Sequence, residues 1–332
     1  MFNELDFPPS IDLARLPTPL EPLERLSERL GLQLLCKRDD LTGTTLTGNK
    51  VRKLEFLLAA SLDAGFAGVI TCGGEQSNHA RATALACARL GLDAHLLLRT
   101  ADPAQPPAAS GNLLLGRLAG ASVEWITAEQ YRERDALMAA AAERLQQQSG
   151  DRYDVIPEGG SNALGAWGYV RCAQELAHQL GRVAATVVYP VGSGGTAAGL
   201  IAGCRLLDLP YRLVGVCVSD DRRSFQQRIA AILRRFAERW RLNVASDAED
   251  IELWDGYVGL GYARSRREEL ACIADLAQTE GLVLDPVYTG KAMFGLLSEL
   301  AAGRLLGEPI VFVHTGGVFG LEAQARQIEA LL

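Results

Sequence analysis

Basic runs, long apolar stretches, paired cysteines and internal repeats are all missing from this chain, and each absence removes a class of function. Without a run of about 18 apolar residues, no membrane span is expected. The opening residues, Met1-Phe2-Asn3-Glu4-Leu5-Asp6, offer neither a basic flank nor the apolar core of a leader, so export is not expected. Seven cysteines make an odd number with no CxxC pair, and most sit in apolar runs such as Leu85-Ala86-Cys87-Ala88. That pattern reads as reduced, buried thiols in a cytoplasmic protein, with no metal site. A net charge of −7 would repel a phosphate backbone, so nucleic acid is not an expected partner.

What is present is apolar material for two cores: 48% of 332 residues is hydrophobic. Helix-period and strand-like segments alternate, with a helix over 54–64, a strand over 68–71, a helix over 80–91 and a strand over 94–98. A second series follows: a strand over 186–191, a glycine loop, a helix from Thr196 and a strand over 213–218. Alternation of this kind predicts α/β units on mainly parallel sheets, and two series predict two lobes. Residues 101–107 and 157–162 read as connecting segments, the latter crossing between lobes. The stretch 222–255, a basic helix and then an acidic loop, reads as surface and oligomer contact.

Three segments could carry chemistry. Gly192-Ser193-Gly194-Gly195-Thr196 lies between an apolar strand and an apolar helix, where glycines admit an anion close to backbone N–H groups at a helix N-terminus. A phosphate site is the natural reading, against an empty tight turn. Gly192-x-Gly194-x-x-Ala197 also fits a relaxed dinucleotide fingerprint, with Asp220 placed as a ribose-binding acid, so NAD stands as a rival cofactor. Gly48-Asn49-Lys50 puts a lysine between a glycine turn and a helix, as a Schiff-base lysine requires. Spacing alone does not separate Lys50 from Lys53 one turn later, and on spacing alone Lys50 reads first as an ordinary surface lysine. The third segment, Cys72-Gly73-Gly74-Glu75-Gln76-Ser77-Asn78-His79, opens a helix with small polar residues able to hold a carboxylate; His79 alone reads equally as a packed or capping histidine.

Lys37-Arg38-Asp39-Asp40, Gly48-Asn49-Lys50, Gln76-Ser77-Asn78-His79, the 192–196 loop, Asp285-Pro286-Val287-Tyr288-Thr289-Gly290-Lys291 and His314-Thr315-Gly316-Gly317 occur in that order. As a set they resemble the D-cysteine desulfhydrase and 1-aminocyclopropane-1-carboxylate (ACC) deaminase family of tryptophan-synthase-β-like pyridoxal-phosphate (PLP) enzymes. The resemblance implies the two-lobed α/β PLP fold type II, with a large cofactor-binding domain from 1–50 and 163–332 and a small substrate-side domain from 51–162. It implies a homodimer acting on a small amino acid. It makes Lys50 the Schiff-base lysine and the base for the α-proton, and puts Asn78 beside the PLP 3′-oxygen. Gly192, Ser193, Gly194, Gly195 and Thr196 become the phosphate cup, with Thr315 on the cofactor as well. Ser77, Asn78, His79, Tyr288 and Thr289 fall on the substrate side, and Ser77, Tyr288 and Tyr262 join Lys50 in catalysis. For Tyr262 the flanking residues depart from the family run, and a core tyrosine is the alternative.

The resemblance also separates branches. Ring-opening deaminases carry Glu where this chain has Thr289 and Leu where it has Thr315. A carboxylate near the pyridine nitrogen would favour its protonation and deepen the electron sink, whereas a hydroxyl only hydrogen-bonds. The shallower sink suits a substrate with its own leaving group, so β-elimination from D-cysteine is expected ahead of L-cysteate sulfo-lyase or ACC deaminase activity. A non-catalytic PLP carrier is the reading outside enzymes. Glu75 either faces solvent or pairs with a cation such as Arg81, or else it faces the pocket, where it would disfavour anionic substrates.

Overall fold

In the computed structural model, which describes residues 5–332, the strands form two separate sheets. They are β1 (Leu20–Pro22), β2 (Leu34–Lys37), β3 (Gly68–Gly74), β4 (Asp93–Arg99), β5 (Ser122–Ile126), β6 (Tyr153–Val155), β7 (Ala185–Val191), β8 (Tyr211–Cys217), β9 (Leu253–Trp254) and β10 (Ile310–Val313). One sheet has the order β1-β2-β10-β7-β8-β9 and draws on both ends of the chain; the other, β5-β4-β3-β6, uses only its middle. Every pairing is parallel except β1 with β2. Parallel strands covered on both faces need continuous apolar side chains, which is why β7 (Ala-Thr-Val-Val-Tyr-Pro-Val) is buried along its whole length.

The helices that matter for the site run Asn49–Asp63, Asn78–Leu90, Ala163–Leu180 and Gly195–Leu206. They approach closely because glycines face neighbouring backbones. A Cβ on Gly168 would stand 2.5 Å from the backbone of Arg52, and one on Gly199 would stand 2.3 Å from the Ala166 carbonyl. The helix Arg222–Trp240 is not purely surface: its Phe225, Ile229, Leu233 and Phe236 are buried, and Trp167 packs on Phe236 at 4.9 Å between ring centroids. No helix among the described residues is long and apolar enough to cross a membrane.

Charge is buried as well as apolar surface. Arg52, fully buried, sends Nη2 to Asp39 Oδ1 (2.7 Å) and Nη1 to Glu175 Oε1 (2.7 Å). Lys37 Nζ adds a 2.7 Å bond to Glu175, and the Tyr169 hydroxyl donates to Asp39 at 2.6 Å. Two cations and two carboxylates thus neutralise each other out of water. Burial alone would drive Asp39 towards protonation, but the Arg52 guanidinium overrides it and holds the carboxyl below its usual range. This cluster ties β2 and the following turn to the helices Asn49–Asp63 and Ala163–Leu180.

Removing one member leaves an uncompensated buried charge. Arg52→Met is expected to lower the stability of the folded protein by about 3–5 kcal/mol. Arg29→Ala, which breaks the exposed pair with Asp275, should cost about 0–1 kcal/mol. Chemical denaturation followed by tryptophan fluorescence checks both, and equal midpoint shifts would contradict the assignment.

Candidate active site

Between the two sheets lies a cavity of about 500 Å³, lined by residues from nearly every segment singled out in the sequence. The chain contains only four lysines, at 37, 50, 53 and 291, and none is exposed. Lys50 follows Gly48, whose φ of +93° admits no ordinary side chain and which caps the helix Asn49–Asp63. That helix start is stitched to the opposite strand end, since Asn49 N–H donates to the Thr315 carbonyl at 3.0 Å and Asn49 Nδ2 donates to Thr196 Oγ1 at 3.2 Å. Burial pushes the Lys50 amine down to about 8, against a smaller upward pull from Glu158.

Lys53 lies one turn on and also points at the glycine loop, not at solvent. Its Nζ donates to the Gly159 carbonyl and to Ser161 Oγ, both at 3.2 Å, and among the described residues no carboxylate pairs with it. Burial, then repulsion from Lys50, holds its amine well below the usual lysine range. A Cβ on Gly195 would stand 2.8 Å from Lys53 Nζ and 2.6 Å from Ser161 Oγ, so the loop 192–196 and Lys53 enclose one small space. Gly159, at φ +68°, lets the chain turn beneath this space; a Cβ there would meet Ser193 Oγ at 2.5 Å and Lys50 Nζ at 3.2 Å. The connecting segment 157–162 is therefore part of the site, a role the sequence reading did not assign to it.

The third segment behaves as an N-cap. Ser77 Oγ accepts from Ala80 N–H at 3.1 Å, leaving its hydroxyl hydrogen free, and Asn78 Oδ1 accepts from Asn112 Nδ2 at 3.0 Å. Asn112, not expected from sequence, thereby holds the Asn78 side chain in place. His79 lines the cavity, and its Nε2 sits 2.9 Å from Thr71 Oγ1. Burial, with Lys50 and Lys53 adding, holds the imidazole well below its ordinary range, so it is neutral at pH 7.

Tyr262 and Tyr288 meet across the cavity with hydroxyls 3.0 Å apart. Tyr262 is therefore not a core tyrosine. Burial raises both phenols, Tyr288 well above its usual value, with each ring also feeling the other. Lys291 Nζ donates to the carbonyls of Val258, Gly261 and Arg264 and so holds the Tyr262 loop.

Three expectations need correction. Thr289 does not line the cavity: its hydroxyl is buried, accepting from Asp285 N–H (2.8 Å) and donating to Asp285 Oδ1 (2.7 Å), while Thr315 does line it. Glu75 neither faces the pocket nor pairs with Arg81; it accepts from the Thr100 hydroxyl, and Arg81 donates to the carbonyls of Thr45 and Thr47. Arg228, from the stretch read as surface, lines the cavity and pairs at 2.6 Å with Asp220, which lines it too.

Residues 11–316 match the family described as pyridoxal-phosphate dependent enzyme. The chain is 43% identical to a D-cysteine desulfhydrase of Yersinia enterocolitica, covering 96% of this chain and 97% of that protein. It is 40% identical to the mitochondrial bifunctional D-cysteine desulfhydrase/ACC deaminase of Arabidopsis thaliana, covering 97% and 82% respectively. A crystal structure of an ACC deaminase homologue superposes with a TM-score of 0.90 at 37% identity, over 98% of this chain and 97% of the other. The site suits that cofactor. A cup whose glycines leave room for an anion, two adjacent lysines without carboxylate partners and a fixed asparagine amide supply the donors that a phosphate, an aldehyde and a phenolic oxygen need.

The lowered Lys50 amine has a measurable consequence. Its neutral, nucleophilic fraction should reach one half near pH 8, where an ordinary lysine waits until about 10.4. Trace acetylation of cofactor-free protein across pH, quantified on the Lys50 peptide by mass spectrometry, should rise to a plateau with a midpoint near 8. A midpoint above 10 would contradict the burial argument.

Proposed function

The chain belongs to the pyridoxal-phosphate dependent enzyme family, and on that premise we propose that it is a lyase converting D-cysteine and water to pyruvate, ammonia and hydrogen sulfide. The observation that carries this reading is the absence of a free carboxylate from the cavity wall. Among the described residues only Glu158 and Asp220 line it with carboxylates, and each is ion-paired with an arginine. Asp285, the nearest buried acid to the Tyr288 turn, has both oxygens filled, Oδ1 by Thr289 N–H and hydroxyl, Oδ2 by the N–H groups of Val287 and Tyr288. When bound, PLP supplies the aldehyde that captures the substrate amine and an electron sink for the α-carbon. With only the Thr315 hydroxyl on offer, that sink is shallow, and a substrate that expels its own β-substituent suits it better than a cyclopropane.

The side chains divide the remaining work. Ser77 and the N-terminus of the helix Asn78–Leu90 bind the substrate carboxylate, and His79 packs beside it as a neutral ring. Lys50 Nζ, neutral in an appreciable fraction at pH 7, accepts the α-proton. Tyr288 stays protonated because burial raises it, so its hydroxyl, braced by Tyr262, donates a proton to the departing sulfur. Lys53, with the loop 192–196, holds the phosphate. The two domains are 1–50 with 163–332, and 51–162. A cytoplasmic homodimer completes the reading, supported by free cysteines throughout and by Leu114 and Leu118 exposed one turn apart on the helix Gly111–Leu118.

Pyruvate release from D-cysteine, compared with 2-oxobutyrate release from ACC, tests the assignment; faster turnover of ACC would overturn it. Lys50→Ala and Tyr288→Phe should each lower kcat for D-cysteine by ~10²–10⁴-fold. Lys53→Met should chiefly weaken cofactor retention, read as loss of bound PLP on dialysis.

A further inference from the structure

Two arginines on the cavity wall are left over after the elimination machinery is assigned, and of these Arg132 is exposed to solvent while Arg99 is half-buried. Arg99 is the last residue of β4, and its guanidinium carbon lies 4.7 Å from the Tyr262 ring centroid and 4.8 Å from that of Tyr131. Two aromatic faces position a guanidinium and strip water from it without neutralising it. The other arginines beside it differ. Arg134 pairs with Glu158 at 3.3 Å, and Glu158 also accepts from the Tyr131 hydroxyl at 2.8 Å, so its carboxylate is engaged twice. Among the described residues Arg99 has no carboxylate within ion-pair distance, and Glu75, close in sequence, is turned to Thr100.

The guanidinium also opens onto the substrate space. Arg99 lines the cavity together with Gly74 and Tyr262. A Cβ on Gly74 would stand 3.8 Å from Arg99 Nε and 3.7 Å from the Tyr262 hydroxyl, so the missing side chain leaves both groups facing one gap. A substrate carboxylate already has Ser77 and a helix N-terminus, and the phosphate has Lys53. A planar fork of N–H donors, half-buried and without an anion, matches a second acidic group on the ligand.

We propose that Arg99 is a specificity-determining residue that binds a negatively charged β-substituent of the amino-acid substrate: a carboxylate, a sulfonate or the thiolate form of a thiol. This rests on the β-elimination reading for what happens next, but the recognition itself can be measured without turnover. Aspartate and asparagine are isosteric, differ in the charge of the β-substituent and carry no leaving group. Titrating each enantiomer of both into the PLP-loaded protein by calorimetry should show aspartate binding at least about tenfold more tightly than asparagine for the preferred enantiomer. In Arg99→Gln that ratio should fall to near one with asparagine affinity unchanged, and Arg99→Lys should retain part of it. A ratio near one in the wild type, or a ratio that survives Arg99→Gln, would overturn the proposal. Retained PLP absorbance and an unchanged melting temperature identify a folded variant. Failure of pyruvate release from D-cysteine would sink the elimination reading while leaving this ratio to stand or fall by itself.

Discussion

Everything in the site depends on how one turn of one helix distributes three cations. Lys50, Arg52 and Lys53 lie within four residues, and all are withdrawn from solvent. Arg52 is satisfied by Asp39 and Glu175 on the side facing the helix Ala163–Leu180, where Gly168 lets the two backbones meet. That leaves Lys50 on the cavity wall and Lys53 against the glycine loop, with no carboxylate of their own among the described residues. A buried ion network is weak support for stability in itself, but here it sets the rotation of the helix, and with it the direction of both lysines.

The contrast between paired and unpaired cations then describes the chemistry. Lys37, Arg52, Arg134 and Arg228 each have a carboxylate partner. Among the described residues Lys50, Lys53 and Arg99 have none: Lys50 and Arg99 line the cavity, as does the exposed Arg132, and Lys53 lies against the glycine loop. Unpaired positive charge in a partly dry site attracts anions strongly, because water no longer screens it. The protein is acidic overall, with a net charge of −7, so this concentration of positive field is local and directed at small ligands.

Much of the fold was legible because parallel sheets leave a plain signal. The strand expected at 68–71 runs Gly68–Gly74, that at 94–98 runs Asp93–Arg99, and that at 186–191 runs Ala185–Val191. The helix expected from residue 54 begins at Asn49, because its first turn buries charge, and a reading by apolar period assigns charged residues to the surface. The same cause concealed the inward direction of Lys53 and Arg99. The segment 157–162 looked like a connection because its glycines carry no side chain, yet their use is to let Lys50 and Ser193 come close. Thr289 was misplaced for a different reason. Its family position suggested the pocket, but Asp285 four residues earlier captures its hydroxyl at the helix start, a local contact that motif order does not reveal.

Lys50, and not its neighbour one turn away, is the lysine expected to carry the cofactor. With four lysines in the chain the question has four possible answers. Borohydride reduction of the PLP-loaded protein, digestion and mass spectrometry should find the pyridoxyl group on the peptide containing Lys50, with Lys53 unmodified. A pyridoxyl group on Lys53, Lys37 or Lys291 would contradict the account.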